Sequence, residues 1–472
     1  MKIPPGFFIV AAWLCLSSFL GAQIRIGTGE VRQLYEQHCV VCHGEELDGG
    51  LGGSLLDRGA WKKVGPELSF IDYVLEGNDS VGMPSFEGVL SRPQIRSLEI
   101  FIDEKRQQAK KNSDFTKDGA VYEGAGYRFF LETVVNGLEV PWSLAFLPDG
   151  GMLITEKQGN LRLFREGKLY PPIKGIPEVW VHGQGGLLEV ALHPDYSSSL
   201  WVYLAYAASD GEGGDQQVGM TKIVRGRVIE NVWIDEEKIF EAPNTFHSSS
   251  GGHFGCRIAF QEGYLFFSLG DRRERDRAQD LTHPYAKIHR LHEDGRIPED
   301  NPFRNIEGSF PTTWAYGSRN AQGLDFHPVT GALWSSEHGP RGGDEINLIE
   351  RGKNYGWSEI TYGMNYNGTP ITDRTQAPGM EQPKLYWTPS IAVCGIDFYE
   401  GDVFPNWQND LFVGGLRSKQ LHRLEIKNSE VVSDTIVLEG EGEVRDVASG
   451  PDGSLYLVLN NPGRIVRLVS AE

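Results

Sequence analysis

Cys39-Val40-Val41-Cys42-His43 is the stretch that most constrains this chain. Two cysteines separated by two residues, with histidine following at once, form the attachment signal for a c-type haem. The thiols reach the two vinyl groups of one porphyrin as thioethers, and the histidine is held beneath the ring as an iron ligand. A second axial ligand belongs downstream, and Met83-Pro84 supplies one about forty residues later. Thioether ligation raises the potential of the iron. The expected haem set is therefore Cys39 and Cys42 as covalent anchors, with His43 and Met83 on the iron. The rest of the chain must supply the electrons.

Residues 1–22 read as a signal peptide: Lys2, an apolar run from Phe7 to Leu20, then the small residues Gly21-Ala22. The run is too short to span a bilayer, and no later segment is apolar enough to do so. The expected location is periplasmic or otherwise exported, where covalent haem attachment takes place. Lys and Arg total 45 against 64 Asp and Glu, a net charge of −19. With no basic run, nucleic acid and anionic lipid are excluded as natural partners. Cys15 falls in the leader, which leaves Cys256 and Cys394, and export permits those two to pair.

Residues 25–106 read as a small helical domain. Glu30 to His38 leads into the haem motif, and Ser91 caps a last helix whose Ile95, Leu98, Phe101 and Ile102 follow helical spacing. The segment resembles class I cytochrome c domains. Residues 107–127 are polar and glycine-containing and read as a linker. A flexible chain of that length spans roughly 25 Å, enough for a haem to reach a neighbouring domain without rigid docking.

From 128 to 472 a different pattern recurs: an apolar strand, a turn rich in Pro, Asp and Gly, then another strand. It runs through Phe146-Leu147-Pro148-Asp149-Gly150, Leu192-His193-Pro194-Asp195, Phe260-Gln261-Glu262-Gly263, Phe326-His327-Pro328, Phe404-Pro405-Asn406 and Gly450-Pro451-Asp452-Gly453. Six loose repeats predict an all-β six-bladed β-propeller, preceded by a small all-α cytochrome c domain. A pair of β-sandwiches with similar turns is the alternative. Strand Phe129 to Val135 is placed to close the ring by joining the last blade.

Fold alone names no reaction. Four polar clusters interrupt the repeats: Gly183-Gln184-Gly185-Gly186; Gly251-Gly252-His253-Phe254-Gly255 with Ser268-Leu269-Gly270-Asp271; Gly317-Ser318-Arg319-Asn320; and Glu337-His338-Gly339-Pro340, continuing through Asp344-Glu345 to Asn354-Tyr355-Gly356-Trp357. In this order and spacing, over about Leu131 to Leu468, they resemble the glucose/sorbosone dehydrogenase family of soluble sugar dehydrogenases that use pyrroloquinoline quinone (PQQ). The resemblance implies PQQ and calcium at the propeller mouth. It makes His253 the base that takes the anomeric hydroxyl proton, Asp271 its orienting group, and Arg319 and Asn320 the pair beside the quinone oxygens. It puts Gln184 and Trp387 at the sugar, Gly339 and Pro340 on the active-site calcium, and Glu345 and Tyr355 on a second calcium.

Arg417 and Arg445 match cations for the PQQ carboxylates, which an acidic protein needs locally. Glu443 stands where the family has another arginine, and a carboxylate there would repel the cofactor. Gln279 is the match for a glutamine beyond Asp271. The implied activity is oxidation of an aldose to its lactone, with electrons passing to the haem and on to a periplasmic acceptor. A sorbosone-type aldehyde dehydrogenase, or a glycan- or protein-binding propeller that has lost PQQ, are the alternatives.

Overall fold

The computed structural model describes residues 29–45, 47, 54–56, 69–78, 83–110, 120–210 and 217–471. The leader expected at 1–22 lies outside them, as does 111–119 of the linker. The helical unit consists of α1 (Gly29–His38), α2 (Val40–His43), α3 (Phe70–Glu76) and α4 (Arg92–Lys110). Ser91 caps α4 reciprocally: its backbone N–H donates to Gln94 Oε1 at 2.9 Å, and Gln94 N–H donates back to Ser91 Oγ at 3.4 Å. Ile95, Leu98, Phe101 and Ile102 bury against Val31, Tyr35 and Val74, and Cys39 and Met83 pack against the same cluster. Structure reaches into both ends of the expected linker, because α4 runs to Lys110 and a strand begins at Tyr122.

The described strands form six sheets, five of four strands and one of five, each pleated up and down antiparallel. The blades open in turn on Pro141–Phe146, Leu187–Leu192, Ile258–Gln261, Ala321–Phe326, Val393–Phe398 and Glu443–Ser449. The ring closes through the strand expected at Phe129 to Val135. Tyr127–Asn136 pairs antiparallel with Arg464–Ser470, from Phe129 opposite Ser470 to Asn136 opposite Arg464, so the last blade is built from both ends of the domain. Among the described residues no helix is long and apolar enough to cross a membrane.

The recurring Pro/Asp/Gly turns join the first and second strands of their blades. In an up-and-down sheet those turns lie at one end. The starts of the first strands and the turns between second and third strands lie at the other. The polar clusters occupy this second end, so periodicity marks one face of the disc and its interruptions mark the opposite mouth.

A buried guanidinium ties the inner strands together. Arg257, just before the third blade, pairs with Glu189 Oε2 of the second blade at 2.6 Å and Asp446 Oδ2 of the sixth at 3.1 Å. It also donates to the Gln322 carbonyl of the fourth blade at 2.7 Å and the Arg445 carbonyl of the sixth at 2.9 Å. Asp446 accepts from Leu144 N–H of the first blade at 3.4 Å. In the fifth blade a Cβ on Gly395 would lie 2.2 Å from Asp446 Oδ1, so only glycine admits the network there. All six blades meet these three side chains. Burial pushes the Glu189 carboxyl up to about 7, while Arg257 pulls it back. Removing one partner of such a group leaves an uncompensated buried charge. Arg257→Leu should therefore lose about 3–5 kcal/mol in denaturant unfolding, and replacing Glu189 and Asp446 by leucine as well should recover much of that loss. A single Arg257→Leu variant as stable as the parent would contradict this.

Candidate functional site

The four clusters, far apart in sequence, join through backbone bonds. Gln184 N–H donates to the Gly251 carbonyl at 2.7 Å, and Asp271 N–H donates to the Arg319 carbonyl at 2.8 Å. Arg319 N–H donates to Glu337 Oε1. His253 sits at their centre with a left-handed backbone, φ +52°. That conformation costs a non-glycine residue on the order of 1–3 kcal/mol and persists only where the surroundings impose it. Here Gln184 Oε1 accepts the His253 N–H at 2.7 Å. Gly270 leaves room behind it, since a Cβ there would fall 2.3 Å from the His253 carbonyl oxygen.

The imidazole has one tautomer that satisfies both neighbours. Arg319 Nη2 lies 3.2 Å from His253 Nε2, and a guanidinium only donates, so Nε2 carries the lone pair. Nδ1 carries the hydrogen and donates to Asp271 Oδ1 at 2.5 Å. Burial lowers the pKa of His253, the Arg319 charge lowers it further, and Asp271 opposes both. Burial would raise the Asp271 carboxyl, but the hydrogen bond and charge of His253 hold it below the usual range. Asp271 is itself held by Arg273 N–H at 2.7 Å and by Trp357 Nε1–H, which donates to Oδ2 at 2.8 Å. The result is a buried, neutral imidazole with its basic nitrogen directed at a fixed cation, an arrangement suited to taking a proton.

Arg319 Nη1 donates to the carbonyls of His338 and Gly339, both at 2.9 Å. Asn320 Oδ1 accepts from Gly255 N–H at 3.1 Å. Asp344 secures the loop: its Oδ1 accepts from Gly339 N–H at 2.8 Å, and both its oxygens are in reach of Ser390 Oγ. Sequence reasoning passed over Asp344 and Trp357. Both stand inside the fourth cluster, where no spacing separates a ligand from the residue that orients it.

Cations collect around this centre. The Arg445 guanidinium lies 4.3 Å over the Trp142 ring. Lys157, also passed over, sits at the matching turn of the first blade, and its Nζ donates to the Gly183 carbonyl at 2.6 Å. Burial and the Arg445 charge both lower its pKa. Arg341 follows Pro340, and Arg417 occupies the equivalent turn of the fifth blade. Arg445 Nε, Arg341 Nη1 and His338 Nε2 are buried with no hydrogen-bond partner. Unanswered donors around a cationic mouth fit a polyanionic cofactor such as PQQ. The acidic side has a counterpart in Glu337 and Glu345, which face each other across neighbouring strands. Burial pushes the Glu345 carboxyl up to about 7, and burial with the Glu345 charge raises Glu337 further still. Glu337 Oε2 and Asn347 Oδ1 are buried without partners, which is oxygen chemistry suited to a hard cation.

Two expectations need correction, those for Trp387 and for the Cys256–Cys394 pair. Trp387 is 8% exposed, packs in the core with Trp334 and Ile346, and donates Nε1–H to Asp434 at 2.9 Å. It offers a sugar no open face. The Tyr355 hydroxyl donates to the Leu348 carbonyl at 2.6 Å and accepts from Glu350 N–H at 2.8 Å, so any oxygen it offered a cation would be its backbone carbonyl. Cys256 and Cys394 are both free and buried. They belong to the third and fifth blades, and the fourth blade stands between them. Glu443 opens the first strand of the sixth blade and accepts from Asn461 Nδ2 at 3.1 Å. Gln279 bonds Asn354 and the Trp357 carbonyl, a structural duty. At the haem motif, Cys39 and Met83 border one apolar cluster, as two sides of a haem pocket would.

A six-bladed propeller with a buried histidine–aspartate–arginine centre at one mouth, carrying an N-terminal helical domain with a haem-attachment motif, defines a redox enzyme class. The sequence pattern described as "Glucose / Sorbosone dehydrogenase" matches residues 138–467, and that described as "Cytochrome C oxidase, cbb3-type, subunit III" matches residues 28–102. The chain belongs to the glucose/sorbosone dehydrogenase family, with a cytochrome c domain ahead of the propeller. It is 44% identical over 338 residues to the aldose sugar dehydrogenase YliI of Escherichia coli, covering 70% of this chain and 89% of that protein. The apo crystal structure of the soluble E. coli aldose sugar dehydrogenase superposes with a TM-score of 0.69 at 41% identity, over 72% of this chain and 99% of the other. The PQQ-bound aldose sugar dehydrogenase of Streptomyces coelicolor superposes with a TM-score of 0.60 at 28% identity, over 74% and 98%.

His253 should titrate below an ordinary imidazole, and Asp271→Asn, which removes the group favouring the charged form, should lower it further. Ring-proton NMR of histidine-labelled protein, assigned by difference against His253→Gln, checks both signs. An upward move in the Asn variant would overturn the proposed balance of charges.

Proposed function

We propose that this chain is an exported sugar dehydrogenase that oxidises an aldose at its anomeric carbon to the lactone and passes the electrons to its own haem c. The observation that carries the reading is His253 Nε2, held neutral between Asp271 and Arg319 at a cation-lined mouth. Bound PQQ, polarised by calcium, supplies the hydride acceptor. The chain's own residues do the rest. Lys157, Arg417 and Arg445 would hold the three carboxylates of the cofactor, and Arg319 with Asn320 its quinone edge. The Gly339 and Pro340 carbonyls would face the active-site calcium. Glu345, with Glu337 beside it, would take a second.

His253 Nε2 accepts the proton of the anomeric hydroxyl. Asp271 keeps the ring oriented and stabilises the imidazolium that forms. Arg319, already beside Nε2, would offer its charge to an acceptor that gains negative charge there. Gln184 fixes the backbone of the base and borders the sugar. Cys39 and Cys42 anchor the haem, with His43 and Met83 on its iron. Two electrons leave each sugar and a single haem holds one at a time, so a periplasmic one-electron acceptor must empty the haem twice per turnover.

His253→Gln should slow sugar oxidation by about a hundred- to ten-thousand-fold while haem content and PQQ affinity stay near parental values. Stopped-flow spectroscopy of protein reconstituted with PQQ and calcium, then mixed with a sugar panel, reads both steps. Haem should be reduced at a rate independent of protein concentration, because the donor and acceptor share one chain. Near-parental turnover in the variant would remove His253 from the chemistry. Haem that stays oxidised while an added dye is reduced would remove the relay.

A further inference from the structure

Helix α4 is covered on two faces, and the cytochrome core uses only one. Ile95, Leu98, Phe101 and Ile102 face the core, whereas Arg96, Ile100 and Glu104 recur every four residues along another stripe. On an isolated cytochrome Ile100 would sit in water, yet here it is fully buried. Its cover is the propeller loop that carries Gly339 and Pro340. A Cβ on Gly342 would lie 3.1 Å from Ile100 Cδ1, and Gly342 has φ +79°, so the loop approaches the helix as only glycine allows. At one end of the stripe Arg96 Nη1 donates to the Thr361 carbonyl at 3.2 Å. At the other, Glu104 Oε2 accepts from Arg341 Nη2 at 2.6 Å and Glu104 Oε1 accepts from Arg341 Nε at 3.1 Å, with both side chains about 10% exposed or less. Glu104 Oε1 also lies 3.3 Å from Arg417 Nη1. A second patch joins α1 to the propeller, where a Cβ on Gly368 would fall 2.9 Å from Val31 Cγ1.

The expectation of a haem domain that reaches the mouth on a loose tether, without rigid docking, is therefore replaced. We infer that the Arg96–Ile100–Glu104 stripe of α4 is a built docking surface that holds the haem domain against the loop of the active site, with Glu104 as the positioning residue for intramolecular electron transfer. This rests on the functional reading above. The stripe lies on a continuous path. Arg319, beside the base, donates to the Gly339 carbonyl; Gly339 leads through Pro340 to Arg341; Arg341 grips Glu104; and one turn back Phe101 and Leu98 wall the cluster that holds Cys39 and Met83. Each sugar gives up two electrons and two protons. The electrons cross this junction one at a time, reducing ferric haem to ferrous, and an external one-electron acceptor reoxidises it each time. One proton, from the anomeric hydroxyl, leaves by way of His253; the other, transferred as hydride, would be released from the cofactor as its two electrons are withdrawn. The bidentate geometry supplies direction, and the burial of the ion pair makes it resistant to screening by salt.

The test uses the full haem-loaded chain and two separate variants, Ile100→Ser and Glu104→Gln, with Arg96→Ala as a third should either fail to fold. Small-angle X-ray scattering without PQQ reads docking independently of catalysis. The parent should scatter as one compact particle, and the variants should show a larger radius of gyration and maximum dimension. After reconstitution with PQQ and calcium, stopped-flow haem reduction by sugar should slow at least tenfold in the variants. Reduction of a small dye, which takes electrons at the mouth directly, should stay within twofold of the parent. Unchanged scattering with unchanged haem reduction overturns the docking surface, as does a loss of dye reduction in step with haem reduction. A parent whose haem is not reduced at all, yet whose scattering still responds to the variants, overturns the functional reading and leaves the interface standing.

Discussion

The charge of Arg257 is the point about which the propeller is organised. A propeller blade buries its faces against its neighbours, but nothing in sheet packing alone fixes where each inner strand begins along the axis. Arg257 bonds the inner strands of the second, fourth and sixth blades directly, and through Asp446 it reaches the first and fifth. Such a buried ionic group adds little net stability over apolar packing, yet it penalises any register that leaves the charge unpaired. The consequence for chemistry is immediate, because His253 lies four residues ahead of Arg257 on the same strand approach. Gln322 bridges the two: its carbonyl receives Arg257 and its amide donates to the Gly255 carbonyl at 2.6 Å. The element that sets the register also sets the height of the base.

Above this hub the protein separates its charges. The chain as a whole is strongly acidic, with a net charge of −19. Its one mouth nevertheless carries Lys157, Arg319, Arg341, Arg417 and Arg445, several with buried donors unanswered by the protein. Glu104 answers Arg341 and Arg417, and cations collected this closely are still costly unless a further anion is to be bound. Glu337 and Glu345 present the opposite case of two buried carboxylates, both raised by burial, with the Glu345 charge raising Glu337 and the Asp344 charge raising Glu345. Glu104 joins the two systems, since a carboxylate from the haem domain meets Arg341 and Arg417 at the rim. Docking of the haem domain and the charge balance of the mouth are one electrostatic problem.

The six-bladed ring, its closure by the strand at Phe129, the cap at Ser91 and the haem motif were all legible in the residues. Each is a local signal: a turn composition, a period of two or 3.6, a fixed cysteine spacing. The meeting of His253, Asp271, Arg319 and Gly339 was legible through motifs, although their distances were not. What the sequence left open was whatever depended on which way a side chain points once blades are stacked. Trp387 reads the same in a string of letters whether it faces the mouth or the core, and blade packing turned it to Asp434. Cys256 and Cys394 both border motifs, and only the order of blades around the ring keeps them apart. Ile100 stands between Arg96 and Glu104 on its helix, and only the approach of Gly342 explains its burial. The sequence by itself determined the fold class, the Cys-x-x-Cys-His motif and the family of the propeller, because these follow from periodicity, spacing and residue type. The tertiary structure alone decided the charge partners, the orientation of the aromatics and the seating of the haem domain, because contacts between distant residues depend on a register that no local pattern encodes.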